Sequence, residues 1–205
     1  LDPGFVADLF APAWNYGVVG GRRFGLPFNT STPVLFYNLD VFRAKGLEAP
    51  RDWRAFERTA LALTSRAAKG FIFVTDPQAW LFEAMVTSRG GSLVQDDRPN
   101  FTSREAVAAL EMLYRLKEAG ALSVRSMAEA TFAQLDFVRT KGMMVMASIA
   151  NWPAAENFSF AFALGVAPVP RAEGGQLPMG AAHLAVLQGA SEAQARGAVA
   201  FWKYL

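Results

Sequence analysis

The sequence predicts an α/β fold, and two observations carry the prediction. Short apolar runs of strand length, at residues 34–37, 71–74 and 143–148, alternate with longer segments of helical periodicity. Such alternation is typical of α/β domains, in which helices cover a sheet. The 205 residues, 52% of them hydrophobic, are also enough to bury a full core.

The predicted helices begin at capping signals. In chain order, helices are expected from about residues 40, 52, 77, 102, 128 and 191, and strands at 34–37, 71–74, 143–148 and within 158–169. Asp52 is suited to cap the second helix because its carboxylate can accept N–H groups exposed at a helix start. Thr102 with Glu105, and Ser191 with Gln194, have the spacing of a capping box.

Glycines mark where several of these helices are predicted to end. The second helix is expected to stop at Gly70, the fourth at Gly120, and the helix over 128–141 at Gly142. In the fourth helix, apolar residues recur every three residues. They predict one buried face formed by Val107, Leu110, Leu113 and Leu116.

Composition and motifs argue against several functions. With 20 Lys and Arg against 18 Asp and Glu, the net charge is +2, and no basic run or basic helical face predicts nucleic-acid binding. There is no cysteine and His183 is the only histidine, so neither a zinc site nor a Ser-His triad is indicated. Glycine-rich phosphate loops do not occur. We therefore expect a protein without cofactor, metal or catalytic residues. Glycoside cleavage remains an alternative, because its two carboxylates can be brought together by folding and need not be close in the sequence.

The remaining signals favour binding. Trp80 and Trp152 stand beside turn residues, where an indole can line a cleft and stack on the C–H face of a sugar or glycerol. Packing in the core is an equal alternative for these two residues, and it is favoured for Trp53 and Trp202. His183 lies in an apolar run and is predicted to be a core or cleft-edge residue.

Long segments of the chain closely resemble extracellular solute-binding proteins of sugar-type ABC transporters, and most closely those that bind glycerol-3-phosphate. The first segment, residues 25–64, reads GLPFNTSTPVLFYNLDVFRAKGLEAPRDWRAFERTALALT and contains the string PFNxSTPVLxYN. The similarity continues in order through GGSLVQDDRPNFTSREAVAALEMLYRLKEAG, FVRTKGMMVMAS, FALGVAPVP and GAAHLAVLQGASEAQARGAVAFWKYL. It therefore covers nearly the whole chain.

The resemblance implies a periplasmic-binding-protein-like two-lobe fold of type II, present as a partial chain. In this family the chain crosses between two α/β lobes near residues 29–33, which would form a polar lip, and the ligand lies in the cleft between the lobes. Residues 1–32 and 159–205 would be parts of the first lobe, and 33–158 most of the second. Family members are much longer, so pieces of both lobes are expected to be missing.

The same resemblance implies ligand contacts. Ser31 corresponds to a contact from the first lobe, where its hydroxyl can serve an anion or a sugar oxygen. Ser148, at the end of the strand over 143–148, corresponds to a contact from the second lobe. Gly180 and Ala181 correspond to a loop whose backbone approaches the ligand.

Two departures from the glycerol-3-phosphate-binding members bear on these contacts. Those proteins have two glycines where this chain has Gly180 and Ala181, so Ala181 adds a methyl group near the ligand. They also have a glycine where Thr140 stands, and here Gly142 is expected to make the turn instead.

The resemblance implies the substrate-binding component of an ABC importer, with glycerol-3-phosphate or a sugar as solute and a membrane permease as partner. It implies a periplasmic or extracellular protein. A lipid anchor on the full-length chain would be compatible with that location. A binder of neutral, maltose-like or trehalose-like oligosaccharides is the alternative, to be favoured if Trp80 and Trp152 both face the cleft. A glycoside-cleaving enzyme and a purely structural module are the weaker alternatives.

Overall fold

The computed structural model describes residues 3–75, 79–158 and 161–205. The chain divides into a smaller compact unit, Leu1–Ser31 with Met179–Leu205, and a larger one, Thr32–Pro178. This division differs from the predicted one, which grouped residues 159–205 with the first segment. The reason is a strand at Leu164–Pro168, which pairs along its whole length with the strand at Pro33–Asn38 and so belongs to the larger unit.

Helices and strands alternate along most of the chain. The helices are α1 (Pro3–Ala7), α2 (Ala11–Tyr16), α3 (Leu39–Ala44), α4 (Trp53–Leu63), α5 (Trp80–Thr87), α6 (Arg104–Glu118), α7 (Ala130–Val138), α8 (Trp152–Phe158) and α9 (Glu192–Tyr204). The strands are β1 (Val18–Val19), β2 (Arg22–Arg23), β3 (Leu26–Ser31), β4 (Pro33–Asn38), β5 (Lys69–Thr75), β6 (Val94–Gln95), β7 (Arg98–Pro99), β8 (Leu122–Ser126), β9 (Gly142–Ser148), β10 (Leu164–Pro168) and β11 (Gly180–Leu184). Short 3-10 turns at Met127–Glu129 and Ile149–Asn151 precede α7 and α8. The helix start predicted at residue 77 lies outside the described residues.

A five-stranded mixed sheet, in the order β10-β4-β9-β5-β8, forms the centre of the larger unit. The strand β5 runs parallel to β8 and to β9, whereas β4 runs antiparallel to both of its neighbours, β9 and β10. The parallel strands are joined by helical crossovers, as parallel pairing requires. The α/β prediction is therefore confirmed in this unit.

Alternate side chains of the sheet point to opposite faces, and each face has its own apolar cluster. On one face, Leu35, Phe71 and Met144 pack with residues of α3, α4, α5 and α6. On the other face, Phe36 and Ile72 pack with residues of α7 and α8. Burial on both faces explains why these strands appear in the sequence as continuous apolar runs.

The capping predictions are confirmed at two helices and shifted at a third. The Asp52 carboxylate accepts a backbone N–H of the first turn of α4 at 2.7 Å. Ser191 and Gln194 form the predicted capping box at the start of α9, with bonds of 3.2 and 2.8 Å. The cap of α6 is Ser103, one residue later than the predicted Thr102.

Gly70, the predicted stop of α4, lies instead in β5 and is buried. A β carbon at this position would overlap the backbone carbonyl group of Ala60 in α4. The glycine is therefore needed where a helix and a strand approach closely, and not as a helix terminator.

The predicted buried face of α6 is confirmed in its second half, where Leu116 is buried and Leu113 packs against the core, and wrong in its first half. Val107 and Leu110 are 41% and 53% exposed. The fully buried positions are Ala106, Ala109, Met112 and Leu116. In the first half of the helix, the buried positions Ala106 and Ala109 are each one residue, about 100°, from the predicted Val107 and Leu110. Small alanine side chains let α6 pack closely on its neighbours, and a pattern based on large apolar residues does not detect them.

The turn after α7 also differs from the prediction. Thr140 has a left-handed φ of +57°, and its N–H donates to the carbonyl oxygen of Phe137 at 3.0 Å. Gly142 lies in β9, where a β carbon would overlap the Ile72 side chain. The prediction that Gly142 makes this turn is therefore wrong, because Thr140 makes it and Gly142 is required for packing.

The polar segment 29–33 is not a loop. Residues 29–31 continue β3, and β4 begins at Pro33, so only Thr32 separates the two strands. In the smaller unit, β3 pairs antiparallel with β11. The buried Trp202 of α9 donates its indole N–H to the carbonyl oxygen of Pro27 in β3, at 2.5 Å, and fixes the helix to this strand pair.

Candidate functional site

The carboxyl ends of three parallel strands lie at one edge of the five-stranded sheet. These strands, β8, β5 and β9, end at Ser126, Thr75 and Ser148. The amino end of β4 lies at the same edge, because Pro33 is paired with Ser148. We call this edge, with the 3-10 turns that follow β8 and β9, the carboxyl edge.

The strand order places a topological switch point at this edge, between β9 and β5. From β5 the chain passes through α5 and α6 to β8, on one side of the pair. From β9 it passes through α8 to β10, on the other side. Where connections diverge in this way, the strand ends are left uncovered, and ligands of open α/β sheets bind there. Ser148 is the residue of β9 at this point.

Ser148 is held by the turn that follows it. Its Oγ accepts the N–H of Ala150 at 3.2 Å, and the N–H of Ile149 donates to the carbonyl oxygen of Thr32 at 2.9 Å. The side chain is half-buried. A hydroxyl that accepts one hydrogen bond still has its own hydrogen and a second lone pair, so Ser148 can contact a ligand without leaving the turn.

Trp152 lies at the start of α8, four residues after Ser148. Its indole packs on Phe36, with ring centroids 6.4 Å apart and planes inclined by 38°. Its Nε1–H donates to Glu156 at 3.2 Å, and the side chain is half-buried. The structure therefore brings Trp152 and Ser148 into the same stretch of the carboxyl edge.

Trp80, which begins α5 after the end of β5, packs on the other face of the sheet. It contacts the apolar cluster that contains Phe71 and Met144, whereas Trp152 contacts the cluster that contains Phe36 and Ile72. The two indoles therefore do not form one continuous aromatic surface.

Ser31, Gly180 and Ala181 come together in the smaller unit. The sheet register pairs Gly180 with Ser31, and Ala181 with Thr30. Gly180 and Ala181 belong to β11 and not to a loop. A β-bulge between Ala182 and His183 shifts the register beyond this point.

His183 is a packing residue. Its ring stacks on Tyr16, with centroids 5.1 Å apart and planes within 8°. Its Nε2 is buried and has no hydrogen-bond partner within the described part of the chain. Gly25 lies against it so closely that a β carbon there would approach His183 Cβ to 2.8 Å. The core interpretation fits these contacts.

A capping box at the end of β8 is a feature of the carboxyl edge that the sequence interpretation missed. The Ser126 N–H and Oγ donate to Glu129 at 3.0 and 2.9 Å. These two bonds, with the charge of Arg125, lower the pKa of Glu129 below its usual 4.5. The spacing S-x-x-E was the available signal.

Two general features complete the description. Within residues 3–75, 79–158 and 161–205, no three His, Asp or Glu side chains are grouped so that they could hold a metal ion. Over the same residues, no helix has the length and apolar character needed to cross a membrane.

The family follows from comparison with known sequences. Residues 6–205 match the family described as bacterial extracellular solute-binding protein. The chain belongs to this family. Among curated relatives of this solute-binding protein, the sn-glycerol-3-phosphate-binding periplasmic protein UgpB of Escherichia coli K12 is 28% identical over 203 residues, and that of Yersinia pestis is 23% identical over 201. The match covers 90% of this chain and 45% of each relative, so the chain spans about half of their length.

Solved structures confirm the two-lobe fold. UgpB from Mycobacterium tuberculosis, in complex with glycerophosphocholine, has a TM-score of 0.84 at 20% identity, covering 97% of this chain and 53% of that one. The GacH receptor of Streptomyces glaucescens, studied unliganded and with acarbose, has a TM-score of 0.80 at 25% identity, covering 100% and 53%. Maltose-bound MalE3 of T. maritima has a TM-score of 0.76 at 21% identity, covering 98% and 54%.

Proposed function

We propose that this solute-binding protein is the substrate-binding component of an ABC importer and that it captures a sugar-type solute, with glycerol-3-phosphate the first candidate. One observation carries the proposal. Ser148 ends β9 where the connections from β9 and β5 diverge, and ligands of open α/β sheets bind at such points. Family membership indicates the kind of ligand, a solute outside the cytoplasm.

Ser148 and Trp152 offer two kinds of contact. The Ser148 hydroxyl can donate to a phosphate or sugar oxygen while it accepts from Ala150. The half-buried Trp152 indole has a flat apolar surface on which the C–H face of a glycerol or sugar can stack. A solute with a polar head and a C–H body matches both contacts.

The relatives favour a phosphate-bearing solute and leave a neutral oligosaccharide as the second candidate. The curated relatives are described as binding sn-glycerol-3-phosphate. The maltose and acarbose complexes of other structural neighbours support the second candidate. Against it, Trp80 and Trp152 pack on opposite faces of the sheet. An oligosaccharide that stacks on several rings would need further aromatic residues.

We assign the smaller unit to the first lobe of the full-length protein and the larger unit to the second. On this assignment Ser31, Gly180 and Ala181, which lie together in the β3–β11 pair, form the contribution of the first lobe. The methyl group of Ala181, where glycerol-3-phosphate-binding members have glycine, narrows the space for the solute.

The proposed role involves no bond making or breaking. A solute that binds the closed form of a two-lobe protein more tightly than the open form favours closure, and the closed form is then recognised by the membrane permease. The extracellular family indicates action in the periplasm or outside the cell. A lipid anchor on the full-length chain would hold the protein near the permease.

The test is a fluorescence titration of the full-length protein with sn-glycerol-3-phosphate, glycerophosphocholine and maltose, because Trp152 lies beside Ser148. Ser148→Ala should weaken binding of the phosphate-bearing solute about tenfold or more, since a hydrogen bond to a charged group is lost. Ser92→Ala is the matched control, because Ser92 Oγ also accepts a backbone N–H at 3.2 Å, from Val94, but Ser92 lies just before the β6–β7 hairpin. Equal binding by the two variants would contradict the assignment of Ser148.

A further inference from the structure

A cavity of about 290 Å³ in the larger unit lies apart from the proposed solute site. Its charged lining residues are Arg66, Lys69, Arg125, Lys141 and Asp136. We call it the cationic cavity. Its residues come from the segment before β5, from β8, from α7 and from the turn before β9, so they are scattered in the sequence and form no basic run.

The cationic cavity concentrates positive charge. Among the described residues that line it, four are cations and one is a carboxylate, a surplus of three positive charges, whereas the whole chain has a net charge of +2. The single carboxylate is already engaged, because Asp136 Oδ2 accepts from Arg125 at 2.6 Å. Arg125 is also paired with Glu129 at 3.7 Å, so Arg66, Lys69 and Lys141 carry the surplus charge. Gathering like charges is unfavourable unless an anion neutralises them.

The backbone fixes the positions of these cations. The N–H of Lys69 donates to the carbonyl oxygen of Lys141 at 2.8 Å, which holds the two residues side by side. Lys69 Nζ donates to the carbonyl oxygen of Gly120 at 2.7 Å. Next to Arg66, the Ser65 hydroxyl accepts two backbone N–H groups at 3.2 Å and shapes the turn. Arg66 and Lys141 are exposed and can reach an anion from solution.

The cationic cavity lies apart from Ser148, although one of its residues, Arg125, is one position before the end of β8 at the carboxyl edge. Lys69 begins β5, and Lys141 immediately precedes β9, whereas Ser148 ends β9. Six residue steps of extended strand span about 20 Å. A ligand small enough for the cavity therefore cannot reach Ser148 at the same time.

We propose that the cationic cavity binds a small multivalent oxyanion, a phosphate group that is either free or part of a lipid headgroup. Arginine and lysine side chains are the usual protein ligands of phosphate, and several of them converge here. The volume of about 290 Å³ is large enough for one such group.

The experiment measures binding of inorganic phosphate to the full-length protein by calorimetry at low salt, and sedimentation with phosphatidylglycerol or phosphatidylcholine vesicles. The test variant is Arg66→Gln with Lys141→Gln, which removes two of the three exposed cations of the cavity and leaves Lys69, whose Nζ is bonded to Gly120. The control is Lys45→Gln with Lys117→Gln, which removes two exposed lysines outside the cavity. Circular dichroism verifies that both variants are folded.

We expect the Arg66→Gln, Lys141→Gln variant to weaken phosphate binding about tenfold or more, through loss of charged hydrogen bonds, and the control variant to bind as wild type. Binding of phosphatidylglycerol vesicles alone, lost in the same variant, would identify the lipid headgroup as the source. The proposal would be overturned if the protein bound neither phosphate nor the vesicles, or if the control variant lost phosphate binding equally. It would also be overturned if Ser148→Ala lost phosphate binding and the Arg66→Gln, Lys141→Gln variant did not.

Discussion

Thr140, in the turn between α7 and β9, has a left-handed backbone conformation that a threonine side chain disfavours. Its φ of +57° is in the left-handed region, which glycine adopts freely and a β-branched residue rarely does. Glycine would adopt this conformation without the cost that the threonine β carbon imposes. The strain lies in this turn, at the amino end of β9, whereas Ser148 is at the carboxyl end of the same strand.

Thr140→Gly should therefore stabilise the larger unit by about 1 kcal/mol, because relief of left-handed strain outweighs the added freedom of the unfolded chain. Thr140→Ala should recover only part of this gain, since alanine keeps the β carbon. Arg139→Gly is the control, because φ at Arg139 is −88° and there is no strain to relieve. Thermal or urea unfolding measures the changes, and a loss of stability in Thr140→Gly would contradict the account.

The capping box after β8 makes a definite prediction at the scale of one element. The pKa of Glu129 is lowered in the folded protein by the Ser126 bonds, so the carboxylate stabilises the fold above about pH 4.5. This contribution is lost as the pH falls through the lowered folded-state value. Glu129→Gln can keep the hydrogen bonds, as Gln194 does in α9, but it cannot titrate.

Between pH 6 and pH 3, wild-type protein should therefore lose more stability than Glu129→Gln. Ser126→Ala, which removes the hydroxyl but keeps the backbone N–H, should fall between the two. Thermal unfolding monitored by circular dichroism at a series of pH values gives the comparison. The same pH dependence in wild type and in Glu129→Gln would exclude a contribution from this carboxylate.

Local signals in the sequence predicted strands and helix starts better than helix faces and turns. The apolar runs at 34–37 and 71–74 became β4 and β5, because burial on both faces leaves a continuous pattern. Ala106 and Ala109, which form the buried face of α6, carry too little apolar surface to stand out. Nothing local indicated that residues 29–31 continue β3, because the pairing partner, β11, lies far along the chain.

The candidate site depended on more than local pattern. Ser148 was identified through resemblance to the family, and the strand order adds an independent reason, since β9 and β5 diverge beside it. Strand order depends on long-range pairing, which periodicity does not encode. The same holds for the cationic cavity, where Arg66 and Lys141 meet although 75 positions separate them in the sequence.

At the scale of the whole molecule, the chain is a member of the solute-binding family, and Ser148 ends β9 at the carboxyl edge of its larger unit. The edge combines a hydroxyl, at Ser148, with an indole, at Trp152. Ser31, Gly180 and Ala181 are already paired within the smaller unit. Since the chain spans about half of its curated relatives, capture of a solute is a property to measure on the full-length protein.

The most direct test of the central claim is titration calorimetry of the full-length protein with sn-glycerol-3-phosphate, with maltose as the comparison solute. The account predicts saturable heat with glycerol-3-phosphate. It also predicts that Ser148→Ala lowers the affinity for this solute about tenfold or more. Saturable heat with maltose alone would keep solute capture but replace the first candidate with the second. No saturable heat with either solute or with glycerophosphocholine would contradict the account.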